Sequence, residues 1–279
     1  MRTYAGIENE YAGYDDAAIL LQPIPYDGTS TWVKGADRGF EAFLDASEHM
    51  EVYDIETDSE VYKKGIHILP EIGRTGAPEE VFREVYEKTS QLLKTDKFLT
   101  FFGGEHAVSI GIIKAFYEKY PDISILQFDA HTDLRPTYMG SPYNHACALH
   151  EASKNTNLVQ VGIRSMDIIE REFVRRDRCF LAKDIHNTTG WMYSALDKLG
   201  DKVYITLDLD VFDPSVLPAT GTPEPGGLDW YTVISFLKKV FKSKDVIGFD
   251  IVELAPRKGQ KESEFLASKL YYKMLSYKF

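Results

Sequence analysis

The sequence predicts an α/β fold, a parallel sheet covered by helices on both faces. Two observations carry this. Short apolar runs alternate with amphipathic stretches from one end of the chain to the other, the order that crossover helices impose on parallel strands. The apolar runs are also near-continuous instead of alternating, which marks strands buried on both faces.

Taken in order, strands are expected at residues 17–24 (AAILLQPI), 98–102 (FLTFF), 123–128 (ISILQF), 158–163 (LVQVGI), 179–183, 203–207 (VYITL) and 246–252 (VIGFDIV). A helix is expected over 78–93. It opens with Pro78 in its first turn and two acids behind it, which suits the positive end of a helix dipole. Val81, Val85 and Leu92 form its buried stripe. Similar patterns cover 109–120, 191–199, 229–241 and 263–277. No repeat or low-complexity linker interrupts them, so residues 1–279 read as one domain.

Composition narrows the function. At 44% hydrophobic and 27% charged, the 279 residues can bury a core and are not a disordered tail. With 32 Lys and Arg against 43 Asp and Glu, the net charge is -11. That argues against a nucleic-acid partner, which needs clustered cations, and suits a small cationic substrate. The two cysteines, Cys147 and Cys179, support neither a disulfide framework nor a thiolate zinc site. The opening MRTYAGIENEYAGYDD has no basic flank and no apolar segment of a signal peptide. No run approaches the ~20 apolar residues of a membrane span. The expected location is the cytoplasm.

In open parallel sheets ligands gather beyond the carboxyl ends of the strands. Four strands here end in ligand-type side chains: Gly103-Gly104-Glu105-His106, Asp129-Ala130-His131-Thr132-Asp133, Asp208-Leu209-Asp210 and Glu253. In extended chain, residues i and i+2 share a face, about 7 Å apart. Asp129 and His131 therefore point together, as do Asp208 and Asp210. Asp133 joins them only if the chain turns after His131. Four carboxylates and two imidazoles without a thiolate suit Mn²⁺ and similar octahedral ions. The set exceeds the needs of one ion and matches two ions sharing bridging carboxylates. Such a pair makes a shared water acidic enough to yield hydroxide near neutral pH. A lone DxD is often a helix cap and a GGxH a tight turn; it is their joint occurrence, each after its own strand, that points to chemistry.

The blocks GGEH, FDAHTD and DLDVFDPS, in this order, resemble the ureohydrolases: arginase, agmatinase and their relatives. The stretches TPEPGG and DAHTDLRPTYMGSPYNHA look like the agmatinase branch. The resemblance runs from about residue 17 to about residue 270. It implies a three-layer α/β/α sandwich with a mostly parallel, roughly eight-stranded sheet. It also implies two Mn²⁺ per chain and hydrolysis of a guanidino group to urea and an amine, with agmatine giving putrescine. Matched position by position, His106, Asp129, Asp133 and Asp208 would hold one ion, and Asp129, His131, Asp208 and Asp210 the other.

Glu253 falls where the family pairs a carboxylate with the substrate guanidinium, which a carboxylate can grip by two N–H groups. His145 falls at the proton-shuttling histidine, and its imidazole is expected to titrate near working pH. Asp133 would accept a proton from the attacking hydroxide. Glu105 reads as structural, or as support for His106. Arg135 stands where arginases carry an asparagine that reads the α-amino acid, which argues against arginine as substrate. Ser141 matches an arginase serine, and Asp167 falls near the contact to the substrate amine, although it also reads as a helix N-cap. The loop 23–40 is a candidate pocket wall. Guanidinobutyrase, arginase, formiminoglutamase, a mononuclear deacetylase and a non-catalytic paralogue are the rival readings. Family members are commonly homo-oligomers, trimers or hexamers.

Overall fold

The computed structural model of the chain describes residues 2–279. Eight strands form one sheet in the order β2-β1-β3-β8-β7-β4-β5-β6. They are β1 (Ile19–Ile24), β2 (Ile66–Ile68), β3 (Phe98–Gly103), β4 (Ser124–Phe128), β5 (Asn157–Ile163), β6 (Cys179–Leu181), β7 (Lys202–Asp208) and β8 (Asp245–Val252). Every neighbouring pair runs parallel. Every residue of β1, β3 and β4 is buried, as their unbroken apolar runs require.

The helices are α1 (Gly39–Ser47), α2 (Pro78–Leu92), α3 (Val108–Lys119), α4 (His150–Asn155), α5 (Ala182–Ile185), α6 (Gly190–Lys198), α7 (Trp230–Ser243) and α8 (Glu262–Lys278). They divide into two layers. Val81, Val85, Ile112, Ile113 and Ala152 of α2, α3 and α4 share one core with one face of the sheet. Phe43, Trp191, Phe236 and Tyr271 of α1, α6, α7 and α8 share the other. The result is the expected three-layer sandwich.

Local chemistry sets the helix ends. Pro78 opens α2, and Glu80 reaches back to accept from the Ala77 N–H at 2.9 Å. Asp229 caps α7, accepting from the Thr232 N–H at 2.8 Å. The last helix, α8, packs inside against α1 and α7. Its buried Lys273 is paired with Asp54 at 2.8 Å and Glu56 at 3.0 Å.

The structure departs from the sequence pattern at several points, one of them α4, a six-residue helix where none was expected. The strand expected over 179–183 ends at Leu181, and Ala182 already opens α5. Strand β2 has three residues, too few to show a period, and lies at the sheet edge. Helix α1 begins at Gly39, so the end of the expected 23–40 loop is helical. Among the described residues no helix is long and apolar enough to cross a membrane.

Candidate active site

The four strands that end in ligand-type side chains are neighbours. They form the centre of the sheet in the order β3-β8-β7-β4, so their carboxyl ends open onto one place.

After β3 the chain passes Gly103-Gly104. Neither glycine has a positive φ, so a left-handed turn is not what calls for them. The reason is close approach: a Cβ on Gly104 would lie 1.9 Å from the Tyr26 carbonyl oxygen. Glu105 turns away from the cluster and clamps the incoming loop. Its carboxylate accepts from the Thr29 and Ser30 N–H groups at 2.7 and 2.8 Å, and from their hydroxyls at 2.6 and 3.1 Å. His106 points into the site and is 1% exposed.

After β4, Asp129 accepts from the His131 N–H at 2.6 Å and from Gln127 Nε2 at 2.7 Å. The turn that Asp133 needs is present, because Asp133 itself is left-handed with φ 52°. After β7, extended geometry does not continue. Asp208 caps a 3-10 turn at Leu209–Val211 and accepts from the Asp210 N–H at 2.8 Å. The bland role of a DxD, a cap, is therefore realised together with the clustered one. Asp210 is steadied by the Ala130 N–H at 2.9 Å.

These side chains form two donor groups, His106/Asp129/Asp208 and Asp129/His131/Asp210, each with one ligand atom per residue and all atoms within 4.8 Å. Asp129 belongs to both. Asp133 adjoins the first, its Oδ2 3.0 Å from His106 Nδ1. The donor set fits cations. His106 Nδ1 lies 3.1 Å from Asp129, 3.0 Å from Asp133 and 3.4 Å from Asp208, yet is buried and in hydrogen-bond geometry with none of them.

The electrostatics say the same. Burial, then the Asp129 charge, pushes the Asp133 carboxyl up to about 7. Burial, then Asp210 and Asp129, lifts Asp208 well above the usual carboxylate range. Burial opposes a charged His131, but Asp210 and Asp129 outweigh it and raise the imidazole to about 12. Crowded carboxylates that drag protons onto themselves and onto neighbouring imidazoles are short of positive charge, which two divalent ions would supply.

Above the cluster lies a cleft of about 170 Å³, bordered by His131, Asp133, His145, Asp208, Asp210 and Glu253. Glu253 is buried, left-handed at φ 68°, and its Oε1 accepts from the His106 N–H at 2.8 Å. A left-handed Glu stores strain of roughly 1–3 kcal/mol, and such residues gather at functional sites.

His145 is held by Thr29, whose hydroxyl donates to Glu105 at 2.6 Å. The same oxygen lies 3.1 Å from His145 Nδ1 and 3.1 Å from its backbone N–H. With its own proton committed to Glu105, Thr29 can only accept, so Nδ1 carries the imidazole proton and Nε2 keeps a lone pair. The expectation that His145 titrates near working pH is corrected here. Burial, then the positive charge of His131 and His106, lowers it to about 4. Bound cations would act in the same direction and keep the His145 imidazole neutral. Thr29→Val is expected to lower kcat roughly ten- to a hundredfold, at the low end of what acid–base catalysis contributes. Metal content should stay unchanged and Thr29→Ser should restore turnover; kinetics with metal analysis of both variants checks this.

At the outer wall Asp167 does cap a 3-10 turn, accepting from the Ile169 N–H at 3.1 Å. Its other oxygen is 3.2 Å from Arg135 Nη2. Arg135 lies over the Tyr138 ring at 4.3 Å, with Glu170 3.9 Å from its Nε. Both line the cleft. Ser141 does not; its hydroxyl accepts from the Tyr143 N–H within its own loop. The loop 23–40 contributes Thr31 to the cleft wall and Thr29 to His145. Sequence reading missed Thr29, Tyr138, Met166 and Thr222, which carry no local signal because distant segments bring them together.

Fold and site define a class: an enzyme with an acidic cluster, its donors suited to cations, at the carboxyl ends of a parallel sheet. Comparison with known proteins makes this specific. The sequence profile of the arginase family matches residues 17–276. The chain is 38% identical to an N(1)-aminopropylagmatine ureohydrolase of Thermus thermophilus, covering 96% of this chain and 92% of that one. It is 32% identical to an agmatinase of Bacillus subtilis, covering 94% and 92%. Among solved structures, the agmatine ureohydrolase of Thermoplasma volcanium superposes with a TM-score of 0.85 at 28% identity, over 95% of this chain and 91% of that one. The chain belongs to the arginase family and is a hydrolase acting on guanidino groups.

Proposed function

We propose that residues 1–279 form one ureohydrolase domain that hydrolyses agmatine to putrescine and urea. The reading rests above all on one observation: Glu253 and the two donor groups face a single acidic cleft. In this reading His106, Asp129, Asp133, Asp208, His131 and Asp210 hold two Mn²⁺. Two such ions when bound supply a water acidic enough to react at neutral pH.

The residues of the chain do the rest. Glu253 accepts two N–H groups of the planar guanidinium and presents its central carbon to the cluster. Asp133 accepts the proton that the attacking water gives up. His145 passes a proton between the cleft and solvent. The balance is one guanidinium and one water in, one urea and one ammonium out. The leaving nitrogen departs as an amine because it is protonated first.

Arg135 bears on the far end of the substrate. Its guanidinium is already matched by Asp167 and Glu170, so it offers little free charge to an acid-ended substrate such as guanidinobutyrate. That favours an amine-ended chain. A second reading has a specific observation behind it. The 38% identity to the Thermus protein exceeds the 32% to the Bacillus agmatinase, which favours agmatine bearing an aminopropyl arm. Exposed Met166 at the cleft edge offers such an arm an apolar surface. In the same reading the enzyme works in the cytoplasm as a homo-oligomer, a trimer or hexamer.

Urea release decides. Metal-stripped protein is reloaded with Mn²⁺ and assayed side by side on agmatine, N(1)-aminopropylagmatine, arginine and guanidinobutyrate. Agmatine is expected to give the highest kcat/KM. A tenfold or greater preference for the aminopropyl compound would replace it with the second reading. No urea from any of them, with two metals bound, would sink both.

A further inference from the structure

The imidazole of His106 is held from behind by hydroxyls that end on a buried carboxylate. His106 Nε2 lies 2.9 Å from Thr206 Oγ1, and the Thr206 hydroxyl donates to Asp250 Oδ1 at 2.7 Å. Asp250 also accepts from Ser109 Oγ at 3.1 Å and, on Oδ2, from the Tyr204 hydroxyl at 2.7 Å. None of these five residues is more than 1% exposed. The register of the sheet makes the meeting unavoidable, because Thr206 of β7 and Asp250 of β8 are direct cross-strand partners.

A hydroxyl has one proton to give. The other acceptor near Thr206, Ser109 Oγ, lies 3.5 Å away, so the short contact to Asp250 takes the proton. Thr206 then offers His106 only a lone pair, and Nε2 must carry N–H. In the neutral imidazole that a cation ligand must be, this leaves the lone pair on Nδ1. This is the nitrogen that lies 3.0–3.4 Å from three carboxylates with no hydrogen-bond partner. A lone pair facing three carboxylates is repulsive unless a cation stands among them.

We infer that Asp250, acting through Thr206, is a positioning residue that fixes the tautomer of His106 and keeps Nδ1 free for a cation. The inference rests on the reading of His106 as a metal ligand. It concerns two residues one strand-depth below the cluster, neither of which touches the cleft. Reversing the chain should undo it. In Asp250→Asn the new amide can donate to Thr206 Oγ1, turn the Thr206 proton toward Nε2, and force the imidazole proton onto Nδ1.

The test is Mn²⁺ binding to metal-stripped, full-length protein, followed by calorimetry and equilibrium dialysis without substrate. Wild type is expected to take up two ions. Thr206→Val and Asp250→Asn are expected to weaken one of the two by roughly ten- to a hundredfold, the usual range for an outer partner of a metal-binding histidine. Thr206→Ser, which keeps the hydroxyl, should bind as wild type does. Tyr204→Phe should too, since it removes a bond from the far oxygen of Asp250 and leaves the link to His106 intact.

Affinities within twofold of wild type in Thr206→Val and Asp250→Asn would overturn the inference. So would a loss in Tyr204→Phe equal to that in Asp250→Asn, because that is the mark of plain packing. If Asp250→Asn does not fold, Thr206→Val against Thr206→Ser decides alone. Fewer than two ions in wild type would instead overturn the two-ion cluster on which the inference rests.

Discussion

Asp129→Asn is expected to lower urea release about a thousandfold and to reduce metal uptake to less than one ion per chain at Mn²⁺ concentrations that saturate wild type. Asp129 is the one residue common to both donor groups. It is fully buried, and one of its oxygens is steadied by the His131 N–H and the other by Gln127. His106 and His131 hold its carboxyl well below the usual range against the opposing effect of burial. An amide keeps the shape but loses the charge, and its N–H would face one of the proposed cation positions. Metal-assisted hydrolysis draws several kcal/mol from the ions; losing about 4 kcal/mol lowers the rate about a thousandfold. Metal analysis and single-turnover kinetics check both parts. An Asp129→Asn variant that retains two ions and a tenth of the activity would remove Asp129 from the centre of the site.

The second large effect is expected at Glu253. Glu253→Gln replaces a carboxylate with one acceptor and one donor, and in the proposed reading the donor would meet the substrate guanidinium N–H head-on. Breaking one side of a buried charge pair costs about 3–5 kcal/mol, or about a hundred- to several-thousandfold in kcat/KM. Metal content is expected to stay at two ions, which separates this variant from Asp129→Asn. The loss should appear in kcat as well as KM, because in the proposed reading Glu253 would both bind the guanidinium and orient its carbon. Unchanged kcat/KM for agmatine would show that another group reads the guanidinium. The left-handed backbone at Glu253 adds a practical point: glutamine tolerates that conformation no better and no worse, so the substitution tests charge and not strain.

Much of the fold was legible because it depends on local patterns. Unbroken apolar runs located seven of the eight strands within a few residues. The three-residue β2 at the edge had no period to display. Helix α1 was missed for a related reason: its Phe40, Phe43 and Leu44 follow a long irregular loop with no cap to announce a start. The charged centre was legible as an inventory, since Asp129-Ala130-His131 and Asp208-Leu209-Asp210 each follow a strand. Its geometry was less so. Asp208 and Asp210 come together through a 3-10 turn instead of an extended chain, and Gly104 is required by the Tyr26 carbonyl instead of by a turn. His145 looked like a histidine ready to titrate near neutrality, but burial and nearby positive charge hold it neutral.

By itself the sequence determined which residues form seven of the eight strands, which side chains sit just past the ends of the central ones, and that those side chains are oxygen-rich and doubly provisioned for cations. These are properties of neighbours along the chain, governed by periods of two and 3.6 residues and by side-chain chemistry. Only the tertiary structure decided that β3, β8, β7 and β4 lie side by side. It also decided that Thr29 holds His145, that Arg135 is matched by Asp167 and Glu170, and that Asp250 meets His106 through Thr206. Each of these joins segments tens of residues apart or more. Strand order and cross-strand register are set by the packing of the whole sheet, and no local pattern carries them.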